Sequence, residues 1–185
     1  MLDIVLYGDP ILRRRAKPVK SFTGRTRTLI KRMLEAMKAA KGIGLAAPQV
    51  GVSERIIVIS TNGEDLALIN PRIVGQEGRQ VDIEGCLSFP GLQGEVPRSR
   101  QVVVEAFNPL GRSVRVTAEG LRARAIQHEI DHLNGVLFID RAREDSLHWL
   151  VREKERDEEG KPRYRKVRTT LEEVEEFYRR MREGN

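Results

Sequence analysis

The chain has 185 residues, 33 Lys/Arg against 27 Asp/Glu and a formal net charge of +6. Hydrophobic residues make up 39% and aromatics 5%, which excludes a disordered chain and fits one globular domain with a real core. No apolar run approaches the ~18 residues of a membrane span, residues 1–10 lack the layout of a secretory signal, and the single cysteine, Cys86, excludes an internal disulfide and agrees with a reducing cytoplasm.

The positive charge is concentrated early. Residues 1–32 carry a net +7, residues 33–140 a net −2 and residues 141–185 a net +1. Such a basic stretch suits RNA or a ribosome surface. It brings no run of aromatic stacking residues, however, so a solvated Arg-rich surface is the favoured reading. The spacing of Leu29, Ile30, Met33, Leu34 and Met37 predicts a helix over residues 26–40, stopped by Gly42. Residues 42–51 form a loop dense in Gly and Ala. Short strands follow at 55–60, 66–69, 101–107 and 113–118, bounded by turn pairs, with Asn108-Pro109-Leu110-Gly111 as a hairpin turn. A second helix runs over 121–134 and ends at Gly135.

Beyond residue 141 the character changes. Residues 152–166 are nearly all charged and broken by Gly160 and Pro162, which predicts an exposed turn or hinge. Thr170-Leu171-Glu172-Glu173 reads as a capping box opening a last helix. Its stripe of Leu171, Val174, Phe177, Tyr178 and Met181 is expected to dock on the domain's own surface or on a second copy. Strands adjacent in sequence with a helix after them argue α+β rather than α/β.

The chemistry concentrates in His128-Glu129-Ile130-Asp131-His132, which holds two of the three histidines. On a helix, positions i and i+4 share a face, so both imidazoles can close on one ion, with Glu129 beside it as a general base. A catalytic site of this kind normally wants a third protein ligand and one open position. His148 lies sixteen residues past His132, outside the spacing of the extended zinc-peptidase signature, where Phe138 stands instead. Cys86 is the other candidate. A lone cysteine is more often a small buried hydrophobe, but Gly85 before it allows close backbone approach, and a thiolate with two imidazoles suits Fe(II) or Zn(II). In the Gly-rich loop, Gln49 offers an amide able to donate to a developing oxyanion. That loop matches neither phosphate-binding pattern.

Three segments, Gly42-Ile43-Gly44-Leu45-Ala46-Ala47-Pro48-Gln49, Glu84-Gly85-Cys86-Leu87-Ser88 and Gln127-His128-Glu129-Ile130-Asp131-His132, together resemble peptide deformylase, in order and at that family's approximate spacing. The resemblance covers roughly residues 1–140 and implies a catalytic domain there, followed by a charged extension, 141–185, with a terminal helix. It implies an α+β fold of antiparallel strands surrounding the helix that carries the two histidines. It also implies Cys86, His128 and His132 as metal ligands, Glu129 as acid/base, and Gln49 and the Leu87 N–H as oxyanion donors. Ile43, Gly44, Gly85, Arg124 and Ala125 are expected to line the pocket for methionine. Fe2+ is the implied cofactor, with Zn2+, Ni2+ or Co2+ as substitutes. The implied substrates are nascent formyl-Met polypeptides, with the ribosome surface as a further partner and no membrane. Asp131 is expected to orient a ligand or anchor its helix through Arg98. Phe89 departs from the aliphatic residue expected after the cysteine segment, and the tail is nearly neutral and long for a ribosome anchor. The competing readings are an internal peptidase with a carboxylate or histidine as third ligand, and a non-enzymatic chain, either one whose metal is a structural staple or a ribosome-binding factor that has lost catalysis.

Overall fold

A computed structural model describes residues 2–157 and 159–184. Its strands are β1 (Gly44–Ala46), β2 (Ile56–Thr61), β3 (Glu64–Glu77), β4 (Gln80–Cys86), β5 (Phe89–Arg98), β6 (Gln101–Phe107), β7 (Ser113–Glu119), β8 (His148–Arg156) and β9 (Pro162–Arg168). The helices are α1 (Gly24–Ala39), α2 (Gly120–Leu133) and α3 (Leu171–Glu183). All paired strands are antiparallel and form two sheets, ordered β1-β2-β3-β6-β7 and β4-β5-β8-β9. The α+β architecture implied by the resemblance is therefore the observed one.

Helix α2 lies in the interior, and every residue from Ala123 to Leu133 is buried. Its apolar side, Ala123, Ile126, Ile130 and Leu133, packs on Ile57, Ile59, Leu68, Val102 and Val104 of the five-stranded sheet. Its other side carries His128, Glu129, Asp131 and His132, with Glu84 and Arg98 of the second sheet meeting it. A helix buried all round with polar residues on one face needs every one of those groups partnered or put to use. Helix α1 buries Ile30, Met33 and Met37 against Leu45, Ile56, Val58 and Ile69, as its spacing predicts. The residue that turns left-handed after it is Lys41 (φ 57°) rather than Gly42. Gly42 leaves room for Leu87, whose side chain would have to shift for a Cβ there, 2.8 Å from Leu87 Cδ1.

Three local features depart from the sequence reading. First, β3 does not stop at Asn70-Pro71. It continues to Glu77 across a bulge between Ile69 and Arg72, where proline's missing donor is tolerated. Asn70 holds this kink by accepting from Val19 N (2.8 Å) and donating to Val19 O (2.9 Å). Second, β4 and β5 form a hairpin over residues given no strand assignment above. Third, residues 152–166 are not a hinge. They belong mostly to the β8–β9 hairpin, whose turn is closed by Asp157 accepting from Lys161 N (2.7 Å), with Gly160 at φ 77°.

The tail is built into the domain. Strand β8 pairs with β5 (Leu92↔Trp149, Gln93↔His148). Helix α3 opens with the expected capping box: Thr170 Oγ1 accepts from Glu173 N (3.2 Å), and Glu173 Oε2 accepts from Thr170 N (3.0 Å). Val174 and Tyr178 are buried, while Leu171, Phe177 and Met181 stay partly exposed, so α3 docks on its own domain. The Tyr178 ring meets Phe89 edge-on at 5.6 Å and Tyr7 at 5.4 Å, and Phe89 stacks on Tyr7 at 4.6 Å. The bulky residue at position 89 thus fills a core that the C-terminal helix completes. Tyr178→Ala is expected to destabilise the protein by about 3–5 kcal/mol, the range for truncating a buried aromatic side chain. Chemical denaturation with and without the substitution measures it.

Candidate active site

Cys86 ends β4 at the tip of the β4–β5 hairpin. A register shift between Gly85 and Cys86 pairs the cysteine with Phe89, and such a bulge re-aims one side chain. It aims the thiol at α2, where His128 and His132 stand one turn apart. The ligand atoms of Cys86, His128 and His132 all lie within 4.8 Å of one another, and Cys86 Sγ is 3.3 Å from His132 Nε2. Tetrahedral bonds of about 2.0 Å to nitrogen and 2.3 Å to sulfur imply ligand–ligand edges of about 3.3–3.5 Å, and the 3.3 Å between Cys86 Sγ and His132 Nε2 is of that size. His148, the third histidine, bonds Ser146 O through Nδ1 (2.9 Å) and takes no part in the cluster.

The imidazole of His128 is fixed from behind. Its Nδ1 lies 2.9 Å from Glu84 Oε2, which leaves Nε2 for a metal. Glu84 also accepts from Arg98 Nε (2.9 Å) and Nη2 (3.0 Å) and from Arg124 Nη1 (2.6 Å), all of them buried. Burial alone would raise the Glu84 carboxyl. The hydrogen bonds from His128 and Arg98 overcome that and hold it well below the usual carboxylate range. Arg98 reaches on to Asp131, which also accepts from Arg141 Nε (2.6 Å) and Nη2 (2.8 Å). Asp131 therefore anchors the helix through Arg98, as expected, and the carboxylate on the ligand histidine is Glu84. The sequence reading passed over Glu84, although it stands inside the cysteine segment two residues before the thiol. Glu84→Gln is expected to weaken metal retention about 10–100-fold, the range for losing such an outer partner, and competition with a chelator reads it directly.

Glu129 projects into the same cleft. It is buried, its Oε2 has no protein hydrogen-bond partner, and burial pushes its carboxyl up to about 7. Gly44 makes room for it: a Cβ at position 44 would sit 2.9 Å from Glu129 Cδ. Gln49 is held in one orientation, since its Oε1 accepts from Ala46 N (2.9 Å), and this turns Nε2 toward Cys86 Sγ (3.4 Å) and Ser88 Oγ (3.3 Å). The Ala46 N–H can only face the amide oxygen, so the amide's donor end points at the Cys86 thiol of the ligand cluster.

These groups open on one cavity of about 600 Å³. Ile43, Gly44, Gln49, Gly85, Cys86, Leu87, Arg124, Ala125, His128 and Glu129 all line it, which covers every residue expected at the site except His132, buried beneath. The Arg124 guanidinium is committed to Glu84 and to Val96 O (2.8 Å), so its aliphatic stem is the part left to form a wall.

A buried helix that offers two imidazoles, meets a thiolate from a neighbouring hairpin and keeps a carboxylate beside them defines a metal-dependent hydrolase. Residues 1–147 match the family described as polypeptide deformylase. The peptide deformylase of Halothermothrix orenii is 55% identical over 143 residues, covering 76% of this chain and 93% of that protein. That of Thermomicrobium roseum is 47% identical over 167 residues, covering 85% of this chain and 95% of that protein. The crystal structure of peptide deformylase from Thermotoga maritima superposes with a TM-score of 0.76 at 46% identity, covering 77% of this chain and 98% of that one. The chain belongs to the polypeptide deformylase family, and its activity is the removal of N-formyl groups from nascent polypeptides. Among the described residues, no helix is long and apolar enough to cross a membrane.

Proposed function

We propose that residues 1–140 carry catalysis and that Cys86, His128 and His132 hold Fe2+ in the working enzyme, with Zn2+, Ni2+ or Co2+ able to replace it. The observation that carries this reading is the three-ligand cluster with Glu129 and the Gln49 amide in one cavity. When bound, the metal supplies a Lewis acid that activates water and polarises the formyl carbonyl. The chain's own residues do the rest. Glu129 takes the proton of the attacking water and delivers it to the departing amine nitrogen. The Gln49 amide and the Leu87 N–H donate to the carbonyl oxygen as negative charge grows on it, and one such donor is typically worth about 3 kcal/mol of barrier. Ile43, Gly44, Gly85, Ala125 and the Arg124 stem receive the methionine side chain. Formate and a free methionine N-terminus leave.

Work on nascent chains belongs in the compartment of translation, the cytoplasm. Of the exposed basic residues, Arg14, Arg15, Lys20 and Arg25 are the first to test against a ribosome surface, by salt-dependent co-sedimentation. The metal assignment is tested by anaerobic loading of the apoprotein with Fe2+ or Zn2+ and assay on a formyl-Met-Ala peptide. Faster turnover with Fe2+ supports the assignment; equal or faster turnover with Zn2+ overturns it.

A further inference from the structure

The family match ends at residue 147, yet the cleft does not. Leu150, on β8, lines the same cavity as Cys86 and Glu129. It stands beside Gly91, whose added Cβ would touch Leu150 O at 3.5 Å. Strand geometry then says which side of the hairpin faces the cleft. Successive side chains alternate between the two faces of a sheet, and directly opposed residues of an antiparallel pair share a face. Trp149 opposes Leu92 and Val167, and its ring packs on Phe177 (5.2 Å) and Tyr178 (6.3 Å), so that face belongs to the core. His148 opposes Gln93. Leu92 and Gln93 of β5 both line the cavity, whereas of the described β8 residues Leu150, two residues on from His148, is the one that does, and it marks the cleft face of the hairpin. The cleft face therefore continues through Leu150 and its partner Lys166, then Arg152 and its partner Tyr164.

The composition of that face is not that of a plain solvated hairpin. Arg152, Lys166 and Tyr164 are all exposed, and these paired positions include no acidic residue. The nearest acidic side chain in the sequence, Glu153, is paired with Arg163 (3.7 Å). An apolar residue at the cavity edge, followed outward by two cations and an aromatic ring, suits a peptide whose backbone has left the catalytic cleft. The cations favour acidic side chains on it, and Leu150 and Tyr164 supply apolar contact to its stem.

We infer that the β8–β9 hairpin is a second wall of the substrate cleft, on which Leu150, Arg152, Tyr164 and Lys166 bind residues of the polypeptide downstream of the formylmethionine and favour acidic ones. The inference rests on the deformylase reading of the cavity. Its occupant is the substrate's own continuation, since the face begins inside the cavity that holds the formyl end.

The test compares formyl-Met-Ala with formyl hexapeptides carrying an Asp pair or a Lys pair at positions 3–4 or 5–6, on the metal-loaded full chain and on an Arg152→Glu/Lys166→Glu variant. Each value is normalised to the same enzyme's rate on formyl-Met-Ala. At low salt the wild type is expected to prefer an Asp pair over a Lys pair about five- to tenfold in kcat/KM, through KM, as two screened surface charge contacts allow. The variant should lose or invert that preference. Fluorescence anisotropy of the deformylated product hexapeptides should show the same order of affinities without turnover. Equal values for Asp and Lys peptides, or a preference unchanged in the variant, would overturn the hairpin's role while leaving the deformylase reading intact. No formate from formyl-Met-Ala with the wild type would overturn both.

Discussion

Glu129→Gln is expected to lower kcat/KM for formyl-Met-Ala by about a thousandfold, the middle of the ~10²–10⁴ range for a positioned acid–base group. Metal content should stay at the wild-type level, because Glu129 stands beside the three-ligand cluster and is not part of it. The substitution keeps the volume that Gly44 accommodates, so a structural explanation for the loss is weak. Parallel measurement of formate release and metal per chain separates the two roles. A variant that loses metal together with activity would make Glu129 a ligand; one that keeps its activity would remove it from the mechanism.

The second large effect is at Cys86. Cys86→Ala leaves two imidazoles and no replacement, since His148 lies outside the cluster and bonds Ser146 O. A site that needs three protein ligands should then release its ion during gel filtration, and formate release should fall to background. Unfolding is not the cause to expect. The side chain is only half-buried at a hairpin tip, where a substitution costs on the order of 1 kcal/mol. Elemental analysis of the purified variant reads the metal. An internal peptidase with its third ligand elsewhere would keep both metal and activity after the same change.

The parts of the fold legible in the sequence are those that rest on a single periodicity. Helix α2 and its two histidines could be placed from i, i+4 spacing, and α1, β6, β7 and the α3 capping box from local pattern. The third ligand could not. Cys86 reaches the histidines only because a bulge turns the tip of a hairpin, and neither β4 nor β5 carries a clear strand signal. Strand β5 does alternate, with Leu92, Gly94, Val96 and Arg98 buried. A glycine and an arginine at inward positions hide the pattern, the first because Leu147 Cδ2 would lie 2.9 Å from a Cβ at Gly94, the second because Arg98 joins Glu84 to Asp131. Gly85 and thiolate chemistry made Cys86 a candidate ligand, and the motif resemblance, not spacing, brought it to α2.

Elsewhere, charge misled the reading. In β8 and β9 it suggested an exposed turn or hinge, and only the turn is found, at the tip of two strands, because a two-stranded ribbon exposed to water has little apolar content to display. The Gly160 and Pro162 signals mark its turn and the start of its second strand. Phe89 and the C-terminal tail were two separate oddities in the sequence. In the structure they are one feature, since Tyr178 of α3 packs on Phe89.

The most direct measurement follows two products at once, formate and free α-amine, from formyl-Met-Ala with the anaerobically Fe2+-loaded full chain. The account predicts that both appear in equal amounts and that neither appears with Glu129→Ala. Amine without formate would mean that the internal peptide bond is cut, and neither product from a fully metallated protein would mean that the cluster is not catalytic; either result would contradict the account.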